Sequence, residues 1–455
     1  MKWICTLMLF LTSMTAQPAV TVLEGHVNTP APGDHVVISG YKNFISNELY
    51  VLGQGKIDED GHFKIEFDID VTTYTQIGIC FQYSEFYFEP GAKYRLQIHP
   101  SEKHTEGLGS IHVQIIEPDT SLTSEIWKIN NHYNNYMVSN ISNAYTRISK
   151  SKADHLRNIL FDKITANGHP YLKDYIEYKI ASLELLAKRS SKKKLAGDYI
   201  WDKPVLYNNI EYMDFFHALY SRMLISHPAL VSPEEVNTTI RDKKSYKALA
   251  SLIQRSGLTG NAKVTELALL CNLKELYYVP SADQHKIGLF LRELTEQSPY
   301  PENREIAASL LKTLTRFSPG KPLPDLWIRD SAGSDVRLSS LPGKPVYLSI
   351  IHPERPGSVA ELEMMKTIYP ELKNRIRFIS ISIDPDISSA IKLKQDKDFN
   401  WDFYSLAHPG EIINKYGINR TPVFIMADAD GTFISYPAFS PSEDLAGYLK
   451  RILKQ

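Results

Sequence analysis

Three hydrophobic periodicities follow one another along the chain. From Val20 to about Ser101, apolar and polar residues alternate over short runs, the period-two signature of strands that bury one face. Val20-Thr21-Val22-Leu23 and His35-Val36-Val37-Ile38 are separated by Pro30, Pro32 and Gly33, and Leu49-Tyr50-Val51-Leu52 follows. Ile57 then leads through Asp60-Gly61, a hairpin-turn dipeptide, into Phe63, Ile65 and Phe67. Further strands are predicted at 76–81, 85–88 and 94–98, with Pro90-Gly91 as the turn between the last two. Many short strands with regular turn signals predict a β-sandwich domain over residues 20–116. From about Ser121 to Phe317 the period becomes helical. Leu172, Ile176, Leu183 and Leu186 fall near helical spacing, with Lys173, Glu177, Lys179 and Glu184 between them. Similar amphipathic stretches at 152–164, 246–254, 264–276 and 287–294, with Asn261 and Ser281 as N-caps, predict an all-α domain over 120–317. Beyond a linker marked by Pro319, Pro322 and Pro324, strands and helices alternate. Strands are predicted at 346–351, 376–383, 422–427 and 432–436, the last two joined by Asp430-Gly431. Helices are predicted at 359–369, 387–397 and 443–453. This alternation predicts an α/β domain with a mixed sheet over 318–455, and hence a multidomain chain.

Composition narrows the function classes. At 455 residues the chain exceeds one ordinary domain, and 43% hydrophobic with 23% charged residues is the balance of a soluble globular protein. A formal net charge of -1 provides no overall field for nucleic acid or an anionic membrane. At the N-terminus, Lys2 precedes an apolar stretch over 4–11 and small or polar residues from Ser13 to Ala16. That is the pattern of a cleaved signal peptide over residues 1–16, and the apolar run is too short to span a bilayer. No other run approaches transmembrane length, so an exported, soluble product is expected. Cys5, Cys80 and Cys271 are the only cysteines and supply no disulfide framework. Cys5 opens the apolar stretch, whereas a lipid-anchoring cysteine would follow it. Cys80 lies in an apolar strand and Cys271 shares a helical face with Val264, Leu267 and Leu270, so both read as core residues. The basic run Lys188, Arg189, Lys192, Lys193 and Lys194 reads as a solvated helix end favoured by the helix dipole, in preference to an anion site.

The C-terminal block resembles a known family, the exported thioredoxin-like thiol–disulfide oxidoreductases close to the peroxiredoxin group. Lys321-Pro322-Leu323-Pro324-Asp325-Leu326 resembles the segment before the family's first strand. Val336-Arg337-Leu338-Ser339-Ser340-Leu341-Pro342-Gly343-Lys344-Pro345-Val346 resembles the approach to its central strand. Gly417-Ile418-Asn419-Arg420-Thr421-Pro422-Val423-Phe424 resembles its cis-proline loop, and Asp428-Ala429-Asp430-Gly431 the hairpin beyond. The likeness covers about 135 residues. The two preceding blocks resemble the N-terminal arrangement of long secreted thioredoxin-like proteins of Bacteroidetes.

The resemblance implies a Cys-x-x-Cys pair at the start of the helix after the central strand, where the helix N-terminus favours a thiolate and the second cysteine resolves the mixed disulfide. Counted back from Glu361, which matches a family acidic position, the four positions are Arg355, Pro356, Gly357 and Ser358. Neither outer position is cysteine, and no cysteine follows Cys271. The expectation is therefore a redox-inactive member, with no catalytic residue, cofactor or metal. Candidate binding residues are His352, Glu354, Arg355, Thr421 and Pro422. Arg355 at a helix start suits a carboxylate or phosphate. A Ser/His hydrolase would need a third group and an oxyanion hole that nothing here signals. Pairing of His352 with His408 on a metal lacks the usual ligand spacing. Thr421-Pro422 has two readings, a turn kept for its shape or a peptide groove that outlived the redox pair. The preferred function is binding of a polypeptide partner or scaffolding of an envelope complex, in the periplasm of a Gram-negative bacterium. Two alternatives stay open: an oxidoreductase using Cys80, Cys271 or partner thiols, and an anion or small-ligand binding protein.

Overall fold

Alternating side chains on eight short strands generate two facing sheets in the first block. The computed structural model describes residues 20–452, except 29–34, 80–81, 101–110, 141–149, 163–167, 189, 226–231, 243–244, 280–281, 341–342, 385, 408–411, 413–414 and 419–420. The expected signal segment, Pro30, Pro32, Gly33, Cys80, Arg189, Ser281, Leu341, Pro342, His408, Asn419 and Arg420 lie outside the described residues. The strands are β1 (Thr21–Val27), β2 (His35–Tyr41), β3 (Leu49–Lys56), β4 (His62–Phe67), β5 (Thr73–Ile79), β6 (Gln82–Phe88), β7 (Lys93–His99) and β8 (His112–Glu117). They form two four-stranded sheets of order β4-β1-β7-β8 and β3-β2-β5-β6. Leu23, Phe63, Ile65, Leu96 and Ile98 of the first sheet pack against Val36, Ile38, Ile77 and Phe86 of the second. On β3, a Cβ added at Gly55 would come within 2.7 Å of the Lys64 carbonyl oxygen, so glycine permits the close approach at this corner.

Both expected turns are present, but the Asp60-Gly61 turn does not close a hairpin. Asp60-Gly61 forms a tight turn, with Gly61 at φ +87°, and the Pro90-Gly91 turn has Gly91 at φ +69°. Yet β4 pairs with β1, and β7 pairs with β1 and β8, so each turn carries the chain from one sheet to the other instead of closing a hairpin. Turn chemistry is local, whereas the choice of partner strand follows from which faces can be buried together.

Ten helices follow among the described residues: α1 (Leu122–Asn140), α2 (Lys150–Asp162), α3 (Pro170–Leu186), α4 (Lys192–Tyr199), α5 (Ile210–Tyr220), α6 (Pro233–Asp242), α7 (Tyr246–Gln254), α8 (Ala262–Tyr277), α9 (Gln284–Gln297) and α10 (Pro301–Thr315). Asn261 caps α8, accepting from the Val264 N–H at 2.9 Å. The cap of α9 is Asp283, which accepts from the Lys286 N–H at 3.0 Å. The basic run is corrected. Lys192, Lys193 and Lys194 open α4, the end where the dipole disfavours cations. Local partners compensate: Lys194 pairs with Asp198 at 2.6 Å, and Lys192 Nζ donates to the Leu219 carbonyl at 2.6 Å. No helix of the described residues is long and apolar enough to cross a membrane.

The final block contains β9 (Trp327–Arg329), β10 (Asp335–Arg337), β11 (Val346–Ile351), α11 (Pro356–Leu372), β12 (Arg377–Ser382), α12 (Ile387–Asp396), β13 (Asp402–Leu406), β14 (Val423–Ala427), β15 (Phe433–Ser435) and α13 (Leu445–Ile452). One sheet of order β10-β9-β13-β12-β11-β14-β15 runs through it. β11, β12 and β13 are parallel, and β14 runs antiparallel to β11. The expected mixed α/β arrangement is present, and the hydrophobic pattern missed β9, β10 and β13. The chain is multidomain, with three sheets and thirteen helices among the described residues.

A partly buried carboxylate ties the sandwich to the helices. Glu48, just before β3, accepts from Ser309 Oγ at 2.5 Å and Lys312 Nζ at 2.6 Å on α10, and pairs with Lys42 at 3.2 Å. Ser46 Oγ and Ser309 Oγ lie 2.8 Å apart, and Lys274 Nζ of α8 donates to the Ile45 carbonyl at 2.7 Å. Burial alone would raise the Glu48 pKa, but the bonds from Lys312, Ser309 and Lys42 outweigh it and hold the carboxyl below its ordinary value. A depressed folded-state pKa contributes stability above the unfolded value and loses it as pH falls through the folded one. Glu48→Gln is therefore expected to lower the thermal midpoint at neutral pH. The deficit should shrink in scans below about pH 4, the ordinary glutamate range; a deficit independent of pH would contradict this role.

Candidate functional site

The sheet brings the expected site residues together where the interior strand β11 ends and its neighbour β14 begins. β11 ends at Ile351, and α11 begins at Pro356, so His352-Pro353-Glu354-Arg355 makes the whole crossing from strand to helix. Proline suits the first helical position because its missing N–H would be unpaired there anyway. The expected helix start at Val359 is thus corrected to Pro356. Arg355 is the N-cap, at φ -85° and ψ 122°. Its N–H donates to the His352 carbonyl at 3.2 Å, and its carbonyl accepts from the Val359 N–H at 3.1 Å.

Each side chain has a distinct setting. Ser358 is fully buried, and its hydroxyl oxygen accepts from the His352 backbone N–H at 3.3 Å. His352 is buried too, with Nδ1 accepting from the Glu354 N–H at 3.3 Å. The His352–Ser358 contact therefore runs from backbone to hydroxyl, not from imidazole to hydroxyl, which is not the geometry of an activated serine. Glu354, Pro356 and Gly357 are exposed, and a Cβ at Gly357 would meet nothing within 4 Å. Arg355 is half-buried and turns back across the site, where Nη1 donates to Thr421 Oγ1 at 3.2 Å. Burial lowers the Arg355 pKa from its ordinary value, and nothing opposes that shift strongly enough to reverse it. Thr421 and Pro422 are half-buried, and the peptide bond between them is cis. Glu361, one turn into α11, accepts from the Ser442 N–H at 2.9 Å and from Ser442 Oγ at 2.6 Å, which ties α11 to the segment before α13.

Together these groups offer a cation, the exposed Pro356-Gly357 and the half-buried Thr421-Pro422 loop, with no thiol. Cys271 lies in the middle of α8, fully buried among Leu267, Leu270 and their neighbours, as its helical spacing implied. Among the described residues no three His, Cys, Asp or Glu side chains converge to hold a metal. Sequence reasoning missed a cleft of about 570 Å³ between the sandwich and the helices, lined by Lys42, Thr72, Asp174, Tyr207 and Glu305. Its walls come from segments far apart in sequence, and no local motif marks them.

No family model matches the chain. The thiol–disulfide oxidoreductase ResA of Bacillus thuringiensis is 29% identical over 142 residues, covering 29% of this chain and 78% of that protein. ResA of Bacillus anthracis is 27% identical over 135 residues, with the same coverage. Among solved structures, the thioredoxin domain of a thiol–disulfide oxidoreductase from Bacteroides vulgatus is 18% identical, with a TM-score of 0.27 over 30% of this chain and 97% of that one. A thioredoxin-like protein from Bacteroides caccae is 13% identical, with a TM-score of 0.37 over 53% of this chain and 94% of that one. Over about 29% of its length the chain is similar to these thiol–disulfide oxidoreductases.

Burial pushes the Cys271 thiol up to about 12, with Glu275 adding to the effect. Only the thiolate attacks or is alkylated readily. Peptide mapping after iodoacetamide treatment at pH 8 should find Cys271 unmodified in the folded protein and fully modified in denaturant. Rapid modification of the folded protein would contradict the buried placement.

Proposed function

We propose that this is an exported, redox-inactive thioredoxin-like protein that uses the surface around Arg355 and Thr421-Pro422 to bind a polypeptide partner. In this reading residues 1–16 are removed on export to a bacterial periplasm, and the sandwich (20–116), helical (120–317) and thioredoxin-like (318–455) domains work as one scaffold. Arg355, Pro356, Gly357 and Ser358 stand at the positions of the lost redox motif. The observation that carries the reading is the Arg355–Thr421 bond at 3.2 Å. A guanidinium sits at the helix start, facing the proline loop, where thiol chemistry would need a sulfur. An extended segment passing this site would meet the exposed Pro356-Gly357, a hydroxyl and a cation able to engage its carbonyls or carboxylates.

The absence of any cysteine after Cys271 supports the redox-inactive part. The burial of Cys271 weighs against an oxidoreductase working through that residue. In a dithiothreitol-driven insulin reduction assay, the chain should give no rate above the uncatalysed background. Arg355→Cys/Ser358→Cys should acquire a disulfide that reductant reverses. Wild-type activity that vanishes in Cys80→Ala/Cys271→Ala would overturn the proposal.

Binding is tested separately by anisotropy with a labelled, thiol-blocked unfolded polypeptide. Saturable binding is expected, weakened about tenfold by Arg355→Ala, the loss of one charge-assisted hydrogen bond. The thermal midpoint should stay near that of the wild type. Unchanged affinity in that variant would place the contact surface elsewhere.

A further inference from the structure

The outer face of sheet β4-β1-β7-β8 carries four of the chain's 14 histidines, and their arrangement differs from a merely solvated polar face. His26 on β1 stands directly opposite His62 on β4, with ring centroids 5.1 Å apart and planes at 65°. His99 on β7 stands opposite His112 on β8, with centroids 5.9 Å apart. Asn28 joins the two pairs. Its Oδ1 accepts from Gln97 Nε2 at 3.1 Å and lies 3.2 Å from His26 Nδ1, while its Nδ2 lies 2.8 Å from His99 Nδ1.

This amide bridge makes the pairs inequivalent. An amide oxygen only accepts, so His26 Nδ1 carries the proton and its Nε2 keeps a lone pair. An amide nitrogen only donates, so His99 Nδ1 is the acceptor and its Nε2 carries the proton. A histidine whose Nδ1–H is held by an acceptor presents Nε2 as a ready metal ligand. Residue 61 is glycine, so no side chain at that position crowds the nitrogen. A Cβ there would sit 3.0 Å from His26 Nε2.

Spacing points the same way. Two imidazoles bound in cis positions to one ion through nitrogen at about 2 Å have centroids about 4.5–5 Å apart, from square-planar to tetrahedral angles. The His26–His62 separation is already close to that. Both rings line an open groove of about 720 Å³ with Glu24, Asp58 and Arg95. Two of the three cations lining the groove have counter-charges: Arg95 pairs with Glu24 at 3.0 Å and Glu117 at 2.9 Å, and Lys64 with Glu66 at 2.6 Å, while Lys56 is the third.

We propose that His26 and His62 form an open two-histidine site for a divalent transition-metal ion, with solvent completing its coordination. Imidazole donors and the ordinary affinity order favour Cu²⁺ over Zn²⁺, while Mg²⁺ and Ca²⁺ require oxygen ligands and are not taken. Asn28 is a positioning residue that sets the His26 tautomer. This site is independent of the Arg355 surface.

The test is a titration of the full chain with Cu²⁺ alone, followed by calorimetry and by electron paramagnetic resonance, with Mg²⁺ as the control ion. One saturable site with nitrogen hyperfine structure is expected, and no Mg²⁺ binding. His26→Gln and His62→Gln should each weaken Cu²⁺ at least about tenfold, and Asn28→Ala about tenfold, the usual cost of losing a ligand's hydrogen-bond partner. His112→Gln, outside the Asn28 bridge, should leave the affinity unchanged. Metal-free thermal midpoints establish that each variant is folded. The proposal is overturned if the wild type shows no saturable site, if His26→Gln and His62→Gln bind like the wild type, or if affinity follows His112 instead.

Discussion

The C-terminal unit depends on the pairing of β11 with a neighbour on each side. Its residues alternate between two cores: Tyr347 and Ile351 join one cluster, Leu348 and Ile350 the other. A strand buried on both faces cannot slip without moving every side chain to the wrong core, so its register is strongly specified. In that register Ile350 opposes Val423 of β14. Pro422 and Thr421 are thereby placed beside the end of β11, and the next four residues carry the chain to the N-cap of α11. The meeting of Arg355 with Thr421, 66 positions later, is a consequence of strand register. Tyr347 adds a further tie, since its buried hydroxyl donates to the Phe439 carbonyl at 2.7 Å.

Such strands are also what makes a sequence legible. β11, β12 and β14 stand out as short apolar runs because nearly every position is buried. β13 escaped notice because Asp402 and Ser405 interrupt its apolar pattern, although Ser405 is fully buried. In the sandwich, period two identified the buried faces correctly, with Phe63, Ile65 and Phe67 all inward. Asp60-Gly61 and Pro90-Gly91 signalled turns but could not say which sheet the next strand would join. The basic run misled for a similar reason. Lys192 to Lys194 follow one helix closely, and only Ser191 accepting from the Lys194 N–H reveals that they begin the next.

The candidate site was legible as residue types in sequence order, but its chemistry needed geometry. His352, Arg355 and Ser358 suggest a base, a cation and a hydroxyl in one short segment. The structure assigns them different tasks: Ser358 is a buried acceptor for the backbone, His352 accepts from the loop, and Arg355 alone turns toward the proline loop. The Glu48–Ser309 contact and the His26–His62 pair were out of reach for another reason. Both join positions far apart in sequence through side chains that, taken singly, look like ordinary surface residues.

In the proposed function, the C-terminal α/β part presents a cation, Arg355, and the exposed Pro356-Gly357 to a polypeptide partner. The most direct measurement is hydrogen–deuterium exchange of the full chain with and without the thiol-blocked unfolded polypeptide. The account requires slowed exchange in residues 352–359 and 421–424, and that slowing should be lost in Arg355→Ala. Protection confined to other segments, such as the cleft lined by Asp174 and Tyr207, would contradict the central claim.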